Sequence, residues 1–328
     1  MIKGLRFLFV LVVILGIVGP VTAETPERTV IGYVNVMDDA PVHVAYEAGL
    51  YAQYGLDVEL VRFSSGTDLI KGIVTGSLDV GVLGFTNALS WASRGADLKI
   101  IGGAQRGYHS ILVRKDRGIT GVSGLRGRSL ASQKQGSTAD VVLSNVVLPD
   151  ADLTKRDLTM RYVSPAVAVQ SLVAGGVDAA FLFEPYARIA QYTAPVEEIY
   201  EIGDHWPFPC MVVITSGETW RQDRSRLEAV LEAQKDAIEI LTDNPQQAAR
   251  LISHYFIQGD TLDTPQGPIP AVQVIEEAVR ANTFNWQLTA QDIDRIYQVE
   301  GIMRRENLLS GAVNLDEILD LSWQQARE

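Results

Sequence analysis

Residues 168–187 read AVQSLVAGGVDAAFLFEPYA, and residues 69–88 read LIKGIVTGSLDVGVLGFTNA. Aligned, the two stretches place Val173 on Val74, Gly175 on Gly76, Asp178 on Asp79, Leu182 on Leu83 and Ala187 on Ala88. Each reads as a helix, a glycine turn, an aspartate and then a short apolar run, the pattern of a buried strand. Polar or conformationally special residues follow: Gly84, Phe85, Thr86 and Asn87 in the first copy, Phe183, Glu184 and Pro185 in the second. Ligands of open α/β sheets bind beyond the carboxyl ends of the strands. The doubled phrase therefore predicts two α/β lobes that face each other.

The same alternation extends on both sides. TVIGYVNV (29–36) reads as a strand and APVHVAYEAGLYAQY (40–54) as a helix, with Val42, Tyr46, Leu50 and Tyr54 on one face and Gly55 as its stop. LDVELVRF, LDVGVLG and LKIIGGAQ read as further strands of the first lobe. GRSLASQ, DLTMRYV and VDAAFLF are strands of the second, separated by the helices STADVVLSNVVL and SPAVAVQSLVAGG. CMVVIT (210–215) is one more strand. Strands alternating with helices imply βαβ units and a mostly parallel sheet. Beyond Ser216 the pattern is helical, broken by a loop with Pro265, Gly267, Pro268 and Pro270.

Composition narrows the class. The chain has 328 residues, 47% of them hydrophobic, enough for a sizeable core and about two domains. A formal net charge of −12 argues against nucleic acid or an anionic membrane as partner. Lys3 and Arg6, an apolar run from Phe7 to Val18 and the small-residue site Val21-Thr22-Ala23 make a secretory signal peptide over 1–23, with an uncleaved anchor as the alternative. Export to the periplasm or the outer face of the membrane follows. The single cysteine, Cys210, has no partner for an internal disulfide, and four scattered histidines predict no metal site and no cofactor.

APVHVAYEAGLYAQYGLDVELVRFSSGTDLIKGIVTGSLDVGVLG resembles the opening lobe of type II periplasmic solute-binding proteins, in the branch that takes sulfonates, nitrate, taurine and thiamine-pyrimidine precursors. LRGRSLASQKQGSTADVVL and VDAAFLFEPYA resemble that family's second-lobe segments, with Phe183 where tryptophan is frequent. The resemblance covers about residues 29–215. It implies two Rossmann-like lobes with a ligand cleft between them, a helical C-terminal part, and a monomer that delivers a small ligand to an ABC permease. The lobes are expected at 29–112 with 216–328, and at 113–215. The crossovers would then fall near Leu112–Lys115 and Val212–Thr215. Members of this fold also include pyrimidine synthases; the signal peptide, and the lack of a catalytic triad order, zinc motif or phosphate loop, favour binding without chemistry.

Within that frame, Gly136, Ser137 and Thr138 open a helix whose free amides suit an anionic oxygen group, or serve only as its cap. Ser64, Ser65 and Thr67 repeat the arrangement in the first lobe. Phe85, Thr86 and Asn87 either meet the ligand or start the next helix. Glu184, Asp38 and Asp39 sit at strand ends, where a carboxylate needs a partner: a ligand amine, or a wall contact. Trp206, with Phe208, either lids the cleft or packs. Acids beside an anion site suit a zwitterion such as an aminoalkanesulfonate, the favoured ligand class. An aromatic heterocycle, using Phe85, Trp206 and Glu184, is the alternative.

Overall fold

The computed structural model describes residues 28–327, so the signal peptide expected at 1–23 lies outside the described residues. The chain begins with β1 (Arg28–Val34), α1 (Ala40–Glu47), α2 (Leu50–Gln53), β2 (Asp57–Phe63), α3 (Gly66–Val74), β3 (Val80–Gly84), α4 (Phe85–Ala92) and β4 (Leu98–Arg106). A second series follows: β5 (His109–Arg114), β6 (Ser129–Ser132), α5 (Thr138–Val142), β7 (Thr159–Tyr162), α6 (Pro165–Ala174), β8 (Ala179–Phe183), α7 (Tyr186–Thr193), β9 (Val196–Glu201) and α8 (Ile202–His205). β10 (Pro209–Ser216) leads into α9 (Gly217–Gln222), α10 (Arg224–Asp243) and α11 (Pro245–Phe256). The short strands β11 (Thr261–Leu262) and β12 (Ile269–Pro270), then α12 (Ala271–Ala281), β13 (Thr283–Phe284), α13 (Ala290–Arg305), α14 (Leu315–Ile318) and α15 (Ser322–Gln325) complete it.

The strands form a six-stranded sheet ordered β13-β4-β10-β3-β1-β2 and a five-stranded sheet ordered β7-β6-β8-β5-β9. β3 runs parallel to β1 and antiparallel to β10. β8 likewise runs parallel to β6 and antiparallel to β5. The doubled sequence phrase thus occupies the same central position in each sheet. Both strands are buried along their whole length, which is why they read as continuous apolar runs rather than as alternating ones.

Helices from the chain's end finish the core. α12 turns Val274, Ile275, Ala278 and Val279 inward and keeps Glu276 and Arg280 paired at its surface. Burying each large apolar side chain there contributes about 1.5–3 kcal/mol relative to exposure. These residues join α1, α10 and α11 in one apolar cluster with Ile31, Val80 and Val213 of the six-stranded sheet.

Two departures from the sequence reading have plain causes. The helix expected over residues 40–54 is split into α1 and α2 at Gly49, whose φ of +70° ends one turn and starts another. The chain passes between the sheets at Gly107–Tyr108 and again at Trp206–Phe208, because β5 and β10 already belong to their new sheets. The crossovers expected at 112–115 and 212–215 fall instead inside or at the end of those strands. The two passages touch: the Gly107 amide donates to the Phe208 carbonyl at 2.6 Å. A Cβ on Gly107 would lie 2.3 Å from the Phe208 ring, so only glycine fits that approach. Among the described residues no helix is long and apolar enough to cross a membrane.

Candidate functional site

A cavity of about 620 Å³ lies between the two sheets. The first sheet contributes the segments that leave β1, β2 and β3: Val34 to Val36 with Asp38, Arg62 to Gly66 with Asp68, and Gly84 with Asn87. The second contributes the ends of β6, β7 and β8: Gln133 and Lys134 with Ser137 to Ala139, Tyr162 to Ala166, and Phe183 with Tyr186. His109, Cys210 and Met211 line it from the crossover strands. Every parallel strand therefore delivers its carboxyl end to one space, as a doubly wound sheet requires.

Three of the helices that start at this wall do so at a serine. Ser65 precedes α3, Ser137 caps α5 by accepting from the Asp140 amide at 3.3 Å, and Ser164 caps α6 by accepting from the Val167 amide at 3.4 Å. The first-turn amides of a helix lack partners within it, and its dipole favours negative charge there. Arg62 and Lys134 add two cations to the lining, residues that the sequence reading did not single out. Against them stand two carboxylates. The Asp68 carboxyl is held down to about 2, chiefly by its bonds to Lys71 and Ser65. Burial pushes the Asp38 carboxyl up to about 7, opposed by the neighbouring Cys210 thiol.

The cavity is bridged across the sheets. The Thr86 and Thr138 hydroxyls lie 2.7 Å apart, and Lys134 Nζ donates to Thr67 Oγ1 at 2.9 Å. The Met37 amide donates to the Glu184 carbonyl at 3.2 Å. Farther out, Tyr192 of α7 donates to Glu277 of α12 at 2.7 Å.

Of the residues singled out in sequence, Asp38, Ser64, Ser65, Asn87, Ser137 and Thr138 line the cavity. The others stand behind or beside it. Asp39 accepts from the Val34 amide at 2.7 Å and closes the turn after β1. Thr67 and Thr86 act as bridges, and Phe85 is fully buried in the apolar core. The Gly136 amide donates to Asp140 at 2.9 Å. Glu184 is buried but turns to its own helix: it accepts from the Arg188 amide at 3.2 Å and lies 3.7 Å from the Arg188 guanidinium. Burial pushes its carboxyl up to about 7, with Arg188 opposing. Trp206 is not among the lining residues; Arg295 stacks on it at 4.3 Å and Phe208 packs against it. The Ser64 and Ser65 hydroxyls reach Asp68 at 3.2 and 2.7 Å, so that helix start already holds a carboxylate of the chain itself.

Two α/β sheets wound alike, joined by adjacent crossovers and enclosing one cavity at their strand ends, constitute the periplasmic binding protein fold. The NMT1-like family model matches residues 22–254, and the chain belongs to that family. It is 23% identical to a candidate binding protein of Brucella abortus over 217 residues, which is 65% of this chain and 66% of that one. The match thus spans just under two thirds of that relative's length. A candidate aliphatic sulfonates-binding protein of Bacillus subtilis is 29% identical over 156 residues, 46% of either chain. Among solved structures, the alkanesulfonate-binding protein SsuA from Xanthomonas axonopodis pv. citri bound to MOPS superposes with a TM-score of 0.76. That likeness covers 91% of this chain and all of the other, at 22% identity.

Proposed function

We propose that this chain is the extracytoplasmic solute-binding component of an ABC importer. It takes a small organic anion of the alkanesulfonate class into the cavity between the sheets and hands it, unchanged, to the permease. The observation that carries this reading is the convergence of Arg62, Lys134 and the starts of α5 and α6 on one cavity. An anionic head group finds amides, hydroxyls and fixed positive charge there without any rearrangement of the backbone. The names of the Bacillus and Xanthomonas relatives support the same ligand class.

In this reading the six-stranded sheet with the C-terminal helices is one lobe and the five-stranded sheet the other, hinged at residues 107–108 and 206–208. A few residues suffice to absorb such a closure. The bridges Thr86–Thr138 and Lys134–Thr67 would then belong to the closed form. A second ligand class, an aromatic heterocycle, is favoured by the rings of Phe63, Tyr162, Phe183 and Tyr186 on the cavity wall. Titration calorimetry with ethanesulfonate, butanesulfonate and an aminopyrimidine separates the two. Binding of the pyrimidine alone would overturn the sulfonate reading, and chemical change of any bound compound, seen by mass spectrometry, would overturn the binding-only one.

A further inference from the structure

We infer that Asn35 and Asp38 form a receptor for a hydrogen-bond-donating cationic group, such as a primary ammonium, on the ligand. The inference rests on the cavity being the ligand cleft and adds a second pole to it. Both residues follow the carboxyl end of β1 and line the cavity. Asn35 Nδ2 donates to the Tyr255 carbonyl at 2.5 Å, which fixes the amide so that Oδ1 is the atom left to accept. That Oδ1 is buried and has no hydrogen-bond partner among the described residues. Asp38 is 2% exposed, and its Oδ1 is buried and unpartnered in the same sense. Two acceptors on one wall, each with an uncommitted oxygen, call for a donor.

The surroundings say why the donor should carry charge. Asp39 lies next to Asp38 in the chain and is itself fully buried, with its other oxygen held by Val34. Cys210 stands beside Asp38 from β10; burial pushes its thiol up, so it stays a neutral S–H that opposes the rise of Asp38 without supplying charge. His109, from β5, is 2% exposed, and burial lowers it to about 4, so it stays neutral near pH 7. Glu184, beyond β8, adds negative potential and is turned to Arg188. Of the cavity's own cations, Lys134 is turned to Thr67, and neither it nor Arg62 reaches the unpartnered Asp38 Oδ1 among the described residues. A buried carboxylate without a cation is held by protonation instead, and its upward displacement fits that state. An ammonium at this wall would exchange for that proton. Anion-binding amides at the starts of α5 and α6 and an acceptor pair after β1 would together select a zwitterion, with Asp38 and not Glu184 reading its positive end.

The experiment is calorimetry on purified wild type and Asp38→Asn with two ligand pairs: 2-aminoethanesulfonate against ethanesulfonate, and 3-aminopropanoate against propanoate. Wild type should bind the amine-bearing member of a pair at least about tenfold more tightly. Asp38→Asn should abolish that preference while leaving the amine-free ligand bound as well or better. Equal binding within each pair by wild type overturns the inference, as does a preference that survives in Asp38→Asn. Preference within the carboxylate pair alone keeps the receptor and overturns the sulfonate reading. Binding of none of the four overturns both. Should Asp38→Asn not fold, the wild-type preference still decides.

Discussion

Asp79 and Asp178 make the same contact in their two sheets. Each precedes its central strand, and each carboxylate accepts from a backbone amide of the neighbouring parallel strand: Val30 at 2.7 Å and Ser129 at 2.9 Å. Each returns a bond from its own amide to the carbonyl of that same residue, at 3.0 and 3.2 Å. Both contacts close a separation of 49 residues, and an arginine stands on the free oxygen of each, Arg226 at 3.0 Å and Arg117 at 3.1 Å. The repeated aspartate is thus a clamp that sets the register between parallel strands.

The clamp predicts a stability cost. Asp178→Ala loses the bonds from the Ser129 amide and hydroxyl and should destabilise the fold by about 1–3 kcal/mol. Asp79→Ala should cost a similar amount, and thermal melting compares them. An unchanged melting temperature in either variant would remove the clamp role.

At the first passage between the sheets, Gly107→Ala places a methyl group into the Phe208 ring. Overpacking of this kind costs about 1–3 kcal/mol. Ligand-dependent compaction, read by small-angle X-ray scattering, should weaken along with the melting temperature. A variant as stable and as compactible as wild type would show that the crossover has room to give.

The Thr86–Thr138 bridge is nearly solvent-free. Thr138→Val preserves shape and leaves the Thr86 hydroxyl alone, so the closed form should lose about 0.5–1.5 kcal/mol, or roughly two- to tenfold in ligand affinity. Ser137→Ala, in contrast, removes a cap and should lower stability by about 1 kcal/mol. A Thr138→Val protein with wild-type affinity would mean that the bridge does not report closure.

Acidity gives a further test, with a definite sign. Burial raises the Glu184 carboxyl to about 7, so the fold binds a proton there that the unfolded chain, titrating near its ordinary 4.5, has already released. Its contribution to stability is therefore full below about pH 4.5 and lost as pH rises through 7. Asp38 and Glu201, also raised to about 7 chiefly by burial, act in the same direction. His43 and His109, lowered by burial to about 3 and 4, act oppositely and cost stability as pH falls below 6.5. Glu184→Gln isolates one carboxyl: its stability relative to wild type should rise between pH 5 and 8. Parallel melting curves over that range would contradict the raised carboxyl.

The alternation of strands and helices was legible because β3 and β8 are buried on both faces and the glycine turns punctuate them. β9 was not: VEEIYE is an edge strand with Glu197 and Glu198 exposed, and its period resembles a loop. The crossovers were misplaced because the apolar cores of HSILVR and CMVVIT read as the passages themselves, while the chain changes sheet just before these strands. In the cavity, Ser137 and Thr138 were legible as a helix start at a position the family resemblance marks, and Asp38 as a carboxylate at a strand end. Arg62 and Lys134 could not, since nothing in VRF or QKQG distinguishes a cation facing a cleft from one facing water. Glu184 read as either a ligand contact or a wall contact because its burial was readable from sequence, whereas its turn toward Arg188 was not.

The central claim is that the cavity between the sheets binds a small organic anion through Lys134, Arg62 and the helix starts. Its most direct measurement is the dissociation constant of ethanesulfonate for wild type and for Lys134→Met, with the ligand recovered afterwards. Saturable binding by wild type, weakened by about tenfold or more in Lys134→Met through the loss of a charge-assisted bond, is the predicted result, with the sulfonate recovered unchanged. Absence of binding by wild type, or equal binding by both proteins, would contradict it.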